Sequence, residues 1–191
     1  HLPRVGTVLN SKGDREKDRY APAFLARRSK HIDFDNVIIH HALGMGFLFE
    51  RCEDINIVNS GVYIREGSDR MISSTADATH FANCKGNVLI ENCRIEGMYD
   101  DGTNVHGTYV EVIKVINEKT VQVALKHFEQ MGFQFADRGD AVWFIQQPNP
   151  QRGSEGIVES VYVINERFRE ITFSENVPSN LKAGDILENK T

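Results

Sequence analysis

The sequence predicts an all-β protein in two parts: coils of a right-handed parallel β-helix, then a small antiparallel β-barrel insertion. Three observations carry that expectation. Apolar residues alternate in short runs, the period of a strand with one buried face. In the first half those runs recur 23 residues apart and close on an Asn. After Gly107 the period vanishes, while short strands continue between turn-rich pieces.

In chain order, residues 1–27 contain the run Lys12-Gly13-Asp14-Arg15-Glu16-Lys17-Asp18-Arg19, which reads as an exposed charged loop. From Ser29 the repeat begins. Ile32-Asp33-Phe34-Asp35-Asn36 matches Ile55-Asn56-Ile57-Val58-Asn59, and both match Val88-Leu89-Ile90-Glu91-Asn92. Each closing Asn tolerates a left-handed turn. Ile39, Val62 and Ile95 follow three residues later and predict a second short strand around the corner. The Asn spacings are 23 and 33, which places an insertion around Arg65 to Ser74. Leucine-rich repeats have a similar period, but their Leu pattern is absent. A β-sandwich with coincidental similarity is the competing fold. The period of two and the many β-branched residues argue against a helical array.

Beyond Gly107, strands are expected within Thr108–Ile116, Val121–Leu125, Ala141–Ile145, Ile157–Asn165, Glu170–Phe173 and Asp185–Leu187. Turn-rich pieces such as Pro148 to Gly153 separate them, the pattern of a small antiparallel barrel. The domains are accordingly read as 1–107 and 108–191. Neither end has the character of a natural terminus, so the chain is expected to be a fragment of a longer one.

Composition narrows the function. Twenty-seven acidic against 22 basic residues leave a net charge of −5, which disfavours nucleic acid as the main partner. No run approaches about 18 apolar residues, so no membrane span is expected. Cys52, Cys84 and Cys93 lack metal-ligand spacing. Cys52 and Cys84 fall at equivalent repeat positions and read as stacked core thiols.

The chemistry concentrates between Ser74 and Gly107. Asp77-Ala78-Thr79-His80-Phe81 and Asp101-Gly102-Thr103-Asn104-Val105 read as copies 24 residues apart. On successive coils, Asp77 and Asp101 would sit about 4.8 Å apart at the backbone, with Asp100 beside them. Crowded carboxylates push one another toward the protonated form. Glycoside hydrolysis needs that division: one acid protonates the leaving oxygen while a carboxylate activates water or attacks the sugar. His80, Asn104 and His106 are the accompanying sugar-binding candidates. Three other readings stand beside this one. The acids could cap turns, or they could bind calcium in a polysaccharide lyase that uses Arg65, Arg70, Lys85 or Arg94 as base. The whole could also be a non-catalytic carbohydrate-binding β-helix.

Thr75-Ala76-Asp77-Ala78-Thr79-His80-Phe81, Asn83-Cys84-Lys85-Gly86 and Gly97-Met98-Tyr99-Asp100-Asp101-Gly102-Thr103-Asn104-Val105-His106-Gly107 resemble glycoside hydrolase family 110. The resemblance implies an exo-acting α-1,3-galactosidase that removes terminal galactose with inversion, including from blood group B antigens. With it goes the expectation of no metal or organic cofactor and of a glycan with terminal α-galactose as partner; a secreted or periplasmic location is expected separately. It also implies a parallel β-helix carrying inserted barrels. Carried over by motif, Asp77, Asp100 and Asp101 are the catalytic acids. By analogy with polygalacturonase-like enzymes, Asp100 is the general acid, while Asp77 and Asp101 position and deprotonate water. Gly102 stands where the family more often has Ala, a departure that leaves the acids untouched.

Overall fold

A computed structural model describes residues 2–9 and 20–190. The predicted charged loop at 12–19 lies outside the described residues. Those residues form sixteen strands and one 3-10 turn, Phe128–Gln130, so the all-β class is as the sequence predicts. No helix among them is long and apolar enough to cross a membrane. The chain divides into two compact units, His1–Phe81 with Gly86–Val105, and Ala82–Lys85 with His106–Thr191.

The first part of the chain lays down three sheets. One contains β1 (Phe24–Arg27), β4 (Phe47–Glu50), β7 (Thr79–Ala82) and β10 (Thr103–His106). The second contains β2 (Lys30–Asp35), β5 (Glu53–Val58) and β8 (Lys85–Glu91); the third contains β3 (Ile38–Ile39), β6 (Gly61–Val62) and β9 (Arg94–Ile95). The pairings are parallel and share one register. Phe24 faces Phe47, Ile32 faces Ile55 and Ile39 faces Val62, each 23 residues on. Val62 then faces Ile95, 33 residues on, because residues 63–72 add a strandless excursion.

Apolar stacking fills the interior. The Phe24 and Phe47 rings stack at 5.5 Å and those of Phe49 and Phe81 at 5.1 Å, with Phe34 edge-on to Phe47 at 5.0 Å. Phe47, Phe49, Phe81, Ile55, Ile57 and Val62 are all buried. Parallel-displaced and edge-on rings add about 0.5–1.5 kcal/mol per pair beyond the area they remove from water.

Corners between strands are made by backbone of positive φ. The sequence marks one such corner, and Asn36, Asn59 and Asn92 do take φ of 57°, 50° and 52°. Two further corners repeat with them. Arg28, Arg51 and Asn83 form one series, and His31, Asp54 and Gly86 the other, all with φ between 50° and 72°. Side chains tie the corners together. Asn92 Nδ2 donates to Asn59 Oδ1 at 2.7 Å, and Asn59 Nδ2 donates to Asp35 Oδ1 at 2.9 Å. Asn56 Nδ2 likewise donates to Asp33 Oδ1 at 2.7 Å. Asn59 thus gives to the turn before it and accepts from the turn after it, which matches both ends of its carboxamide.

The second part is a closed barrel of six strands, each paired antiparallel to its neighbours. They run β11 (Tyr109–Val115), β12 (Thr120–Ala124), β13 (Ala141–Ile145), β14 (Arg152–Val163), β15 (Phe168–Phe173) and β16 (Ile186–Asn189). β14 begins at Arg152, inside the piece read as turn, because it pairs with β13 as far as Ile145. The core collects Val110, Val112, Val121, Leu125, Phe135, Val142, Phe144, Ile171, Phe173 and Leu187. Two matching turns deliver β13 and β16. In each, a Gly at φ near 90° (Gly139, 91°; Gly184, 93°) precedes a buried Asp. Asp140 Oδ2 accepts from Asp137 N at 2.8 Å, and Asp185 Oδ2 accepts from Lys182 N at 3.0 Å. The three cysteines are free thiols, with Cys52 buried.

Gly86 tests the corner series. Its φ is 72°, and a Cβ there would stand 2.3 Å from Asp54 Oδ1, the atom that accepts from Asn87 N at 2.9 Å. Gly86→Ala should therefore lower unfolding free energy by about 1–3 kcal/mol, read from the urea midpoint. A midpoint equal to that of the parent protein would show that the corner is not under this constraint.

Candidate active site

The 24-residue offset between β7 and β10 builds the site. Ala78 N donates to Asp101 O at 2.9 Å and Thr79 N to Gly102 O at 3.2 Å. Thr79 Oγ1 donates to Thr103 Oγ1 at 2.9 Å, which pins the register with side chains as well. Asp77 and Asp101 each sit just before a strand, so they share a position at the same edge of the sheet. Tyr99 N donates to Ser74 O at 3.1 Å, holding the Tyr99–Asp101 bend against the turn that precedes Asp77.

The three acids meet. One carboxylate oxygen from each of Asp77, Asp100 and Asp101 lies within 4.8 Å of the others. Their environments differ. Asp77 is 1 % exposed, whereas Asp100 and Asp101 are exposed. Asp77 Oδ2 lies 2.6 Å from His80 Nδ1, and its Oδ1 accepts from Asp101 N at 3.4 Å. Asp101 Oδ2 accepts from Asn104 Nδ2 at 3.3 Å.

Two of the three predicted sugar-binding residues thus engage the acids directly. His80, with its side chain 11 % exposed, is the immediate partner of the buried Asp77. Asn104 is half-buried and orients Asp101. His106 belongs to the second unit, and its Nδ1 lies 2.8 Å from Gly107 O. Tyr99 is an addition that sequence reasoning passes over: its hydroxyl is buried and meets no hydrogen-bond partner among the described residues. A Tyr directly before an acid pair was the available signal.

Of the basic residues considered for a lyase, Arg94 is committed elsewhere. Its Nη2 donates to Glu96 Oε2 at 2.9 Å, and its guanidinium lies 4.5 Å from the centre of the Tyr63 ring. The hydrogen bond to Glu96 holds its pKa above the ordinary arginine value, the opposite of what a general base needs. Chemically, the cluster offers one carboxylate fixed in the interior and two that face solvent. Such a set can pass a proton and hold a water, and its oxygens are also of the type that hard cations prefer.

The model of GLAA-B beta-barrel domain II matches residues 120–187. The chain is 33% identical over 189 residues to alpha-1,3-galactosidase A of Shewanella woodyi, covering 99% of this chain and 30% of that protein. It is 33% identical over 175 residues to alpha-1,3-galactosidase B of Akkermansia muciniphila, covering 92% and 22%. It is 36% identical over 141 residues to alpha-1,3-galactosidase B of Parabacteroides distasonis, covering 73% and 22%. The chain therefore spans 30% of the length of the first of these relatives and 22% of the other two.

The unequal burial of the acids makes unequal stability effects the expected outcome. Asp77→Ala strips a buried His80 of its carboxylate and should cost about 1–3 kcal/mol. Asp100→Ala, at the exposed member, should change stability by less than about 0.5 kcal/mol. Chemical denaturation of both variants checks this; equal effects would contradict the asymmetry.

Proposed function

We propose that this chain is a segment of an alpha-1,3-galactosidase of the A and B type, and that its parent protein hydrolyses terminal α-1,3-linked galactose at the Asp77–Asp100–Asp101 cluster; the 33% identity over 189 residues to one such protein supports this. The single observation that carries the proposal is the meeting of three carboxylates on one sheet edge, within 4.8 Å. We read the three parallel sheets as coils of a right-handed parallel β-helix; the 23-residue offset common to all of them supports this.

In the proposed reaction, Asp100 donates its proton to the glycosidic oxygen as the bond from C1 to that oxygen breaks. A water held by Asp77 and Asp101 attacks C1 from the opposite face. Its proton passes to one of these two carboxylates, so charge and atoms balance. The buried Asp77 is held in place by His80, which acts through it as a positioning residue. Asn104 does the same for Asp101. None of these steps calls on a metal.

The stereochemical course has two readings. The family resemblance implies inversion, which in ordinary pairs goes with acid and base about 6.5–9.5 Å apart. The nearest oxygens of these acids lie within 4.8 Å, which also leaves open a retaining course, in which one Asp attacks C1 to form a glycosyl-enzyme.

Proton NMR of a terminal α-1,3-galactose disaccharide treated with the full-length parent protein separates them. β-Galactose as first product supports inversion, and α-galactose supports retention. Activity should survive a chelator and fall at least about 10³-fold in Asp100→Asn. Loss of activity on chelation would move the cluster to calcium chemistry. Absence of release from any α-galactoside would refute the galactosidase reading.

A further inference from the structure

The barrel carries a cleft that the proposed hydrolysis does not use. Its volume is about 510 Å³, and it lies between the β13–β14 connection and the Pro178–Asn180 loop. Five carboxamides line it: Gln146, Gln147, Asn149, Gln151 and Asn180. Among the described residues, none hydrogen-bonds to these side-chain amides. No carboxylate lines the cleft, and the one cation that does, Arg152, is already engaged. Its guanidinium lies 4.1 Å from the centre of the Trp143 ring, and its Nη2 lies 3.4 Å from Glu188 Oε1.

The wall is held from behind. Asp185, fully buried, accepts from Gln147 N at 3.0 Å with one oxygen and from Lys182 N with the other. At Gly153 the backbone passes close to Phe144 O, and a Cβ there would stand 2.5 Å from it. A surface loop of Gln and Asn held in this way presents donors and acceptors without charge.

We propose that this cleft is a second carbohydrate site, which binds a neutral oligosaccharide outside the acid cluster. A carboxamide donates and accepts from one planar group, matching the paired hydroxyls of a pyranose, which are donors and acceptors too. Pro148 and Pro178 supply the apolar patches that a sugar's C–H faces require. A polyanionic glycan is disfavoured, because the one cation is satisfied by Glu188 and the Trp143 ring. The proposal stands apart from the galactosidase reading, although a glycan-binding barrel suits a glycan hydrolase.

Trp143 is the one tryptophan of the chain, and Arg152 on its ring lines the cleft, so its fluorescence reports occupancy. The experiment titrates the 191-residue chain carrying Asp77→Asn with a neutral galactose-ended tetrasaccharide, and with trigalacturonate as the charged control. Side-chain amide signals are followed in parallel by 1H–15N NMR. The expected result is a saturable change with Kd about 1 mM or tighter for the neutral sugar, with at least tenfold weaker binding in Gln146→Ala/Gln151→Ala. Both positions are exposed, and retention of the barrel is checked by the unchanged backbone amide spectrum. No response to roughly ten times that concentration, or equal binding by the double variant, would overturn the proposal. Preference for trigalacturonate would do so as well. Because Asp77→Asn is the background, the outcome does not depend on whether the acid cluster hydrolyses galactosides.

Discussion

Everything in the first unit depends on a register held constant from turn to turn. A parallel sheet has no hairpin to fix its alignment, and a slip of one residue would exchange buried and exposed faces. Here the alignment is fixed several times over: by rings stacked across turns, by Asn and Asp side chains bonded to their equivalents, and by three left-handed corners per turn. The acid cluster is a product of that constraint. Asp77 and Asp101 lie together because Thr79 and Thr103 do, and those two hydroxyls are bonded at 2.9 Å.

The constraint also explains what the sequence reveals. Asn36, Asn59 and Asn92 are legible because Asn is among the few residues that take positive φ at little cost. The parallel corners at Arg28 and Arg51 are not. Arg carries no such preference, and its backbone is imposed by the turn in which it sits. In the same way Ala141–Ile145 is predicted to the residue, since its apolar run is bounded by Gly-Asp and Gln-Gln-Pro. The start of β14 is missed because Arg152, Gly153 and Ser154 have turn composition; their strand character comes from pairing with β13. Tertiary partners here override local propensity.

The fate of His80 follows similar logic. Strand alternation places residues three apart on opposite faces, so Asp77 and His80 would not be expected to touch. They do touch because Asp77 lies before β7 begins at Thr79, where the chain still bends. Asn104 reaches Asp101 over the same interval on the next turn. The two contacts share the spacing of the copied motif, and the difference between them is burial. The motif is thus a structural unit repeated twice, with one copy sealed in the interior and one open to solvent.

That asymmetry gives the site its chemical direction. A carboxylate taken out of water is costly unless it is paired and hydrogen-bonded. Asp77 has a His on one oxygen and a backbone N–H on the other, so its position is fixed by groups that are themselves fixed. Asp100 and Asp101 keep access to solvent. In the proposed reaction, a fixed interior carboxylate beside two exposed ones would hold the attacking water in place while Asp100 gives up its proton. The bond from Tyr99 N to Ser74 O ties the chain just before Asp100 and Asp101 to the segment just before Asp77, and so brings the two exposed carboxylates beside the buried one.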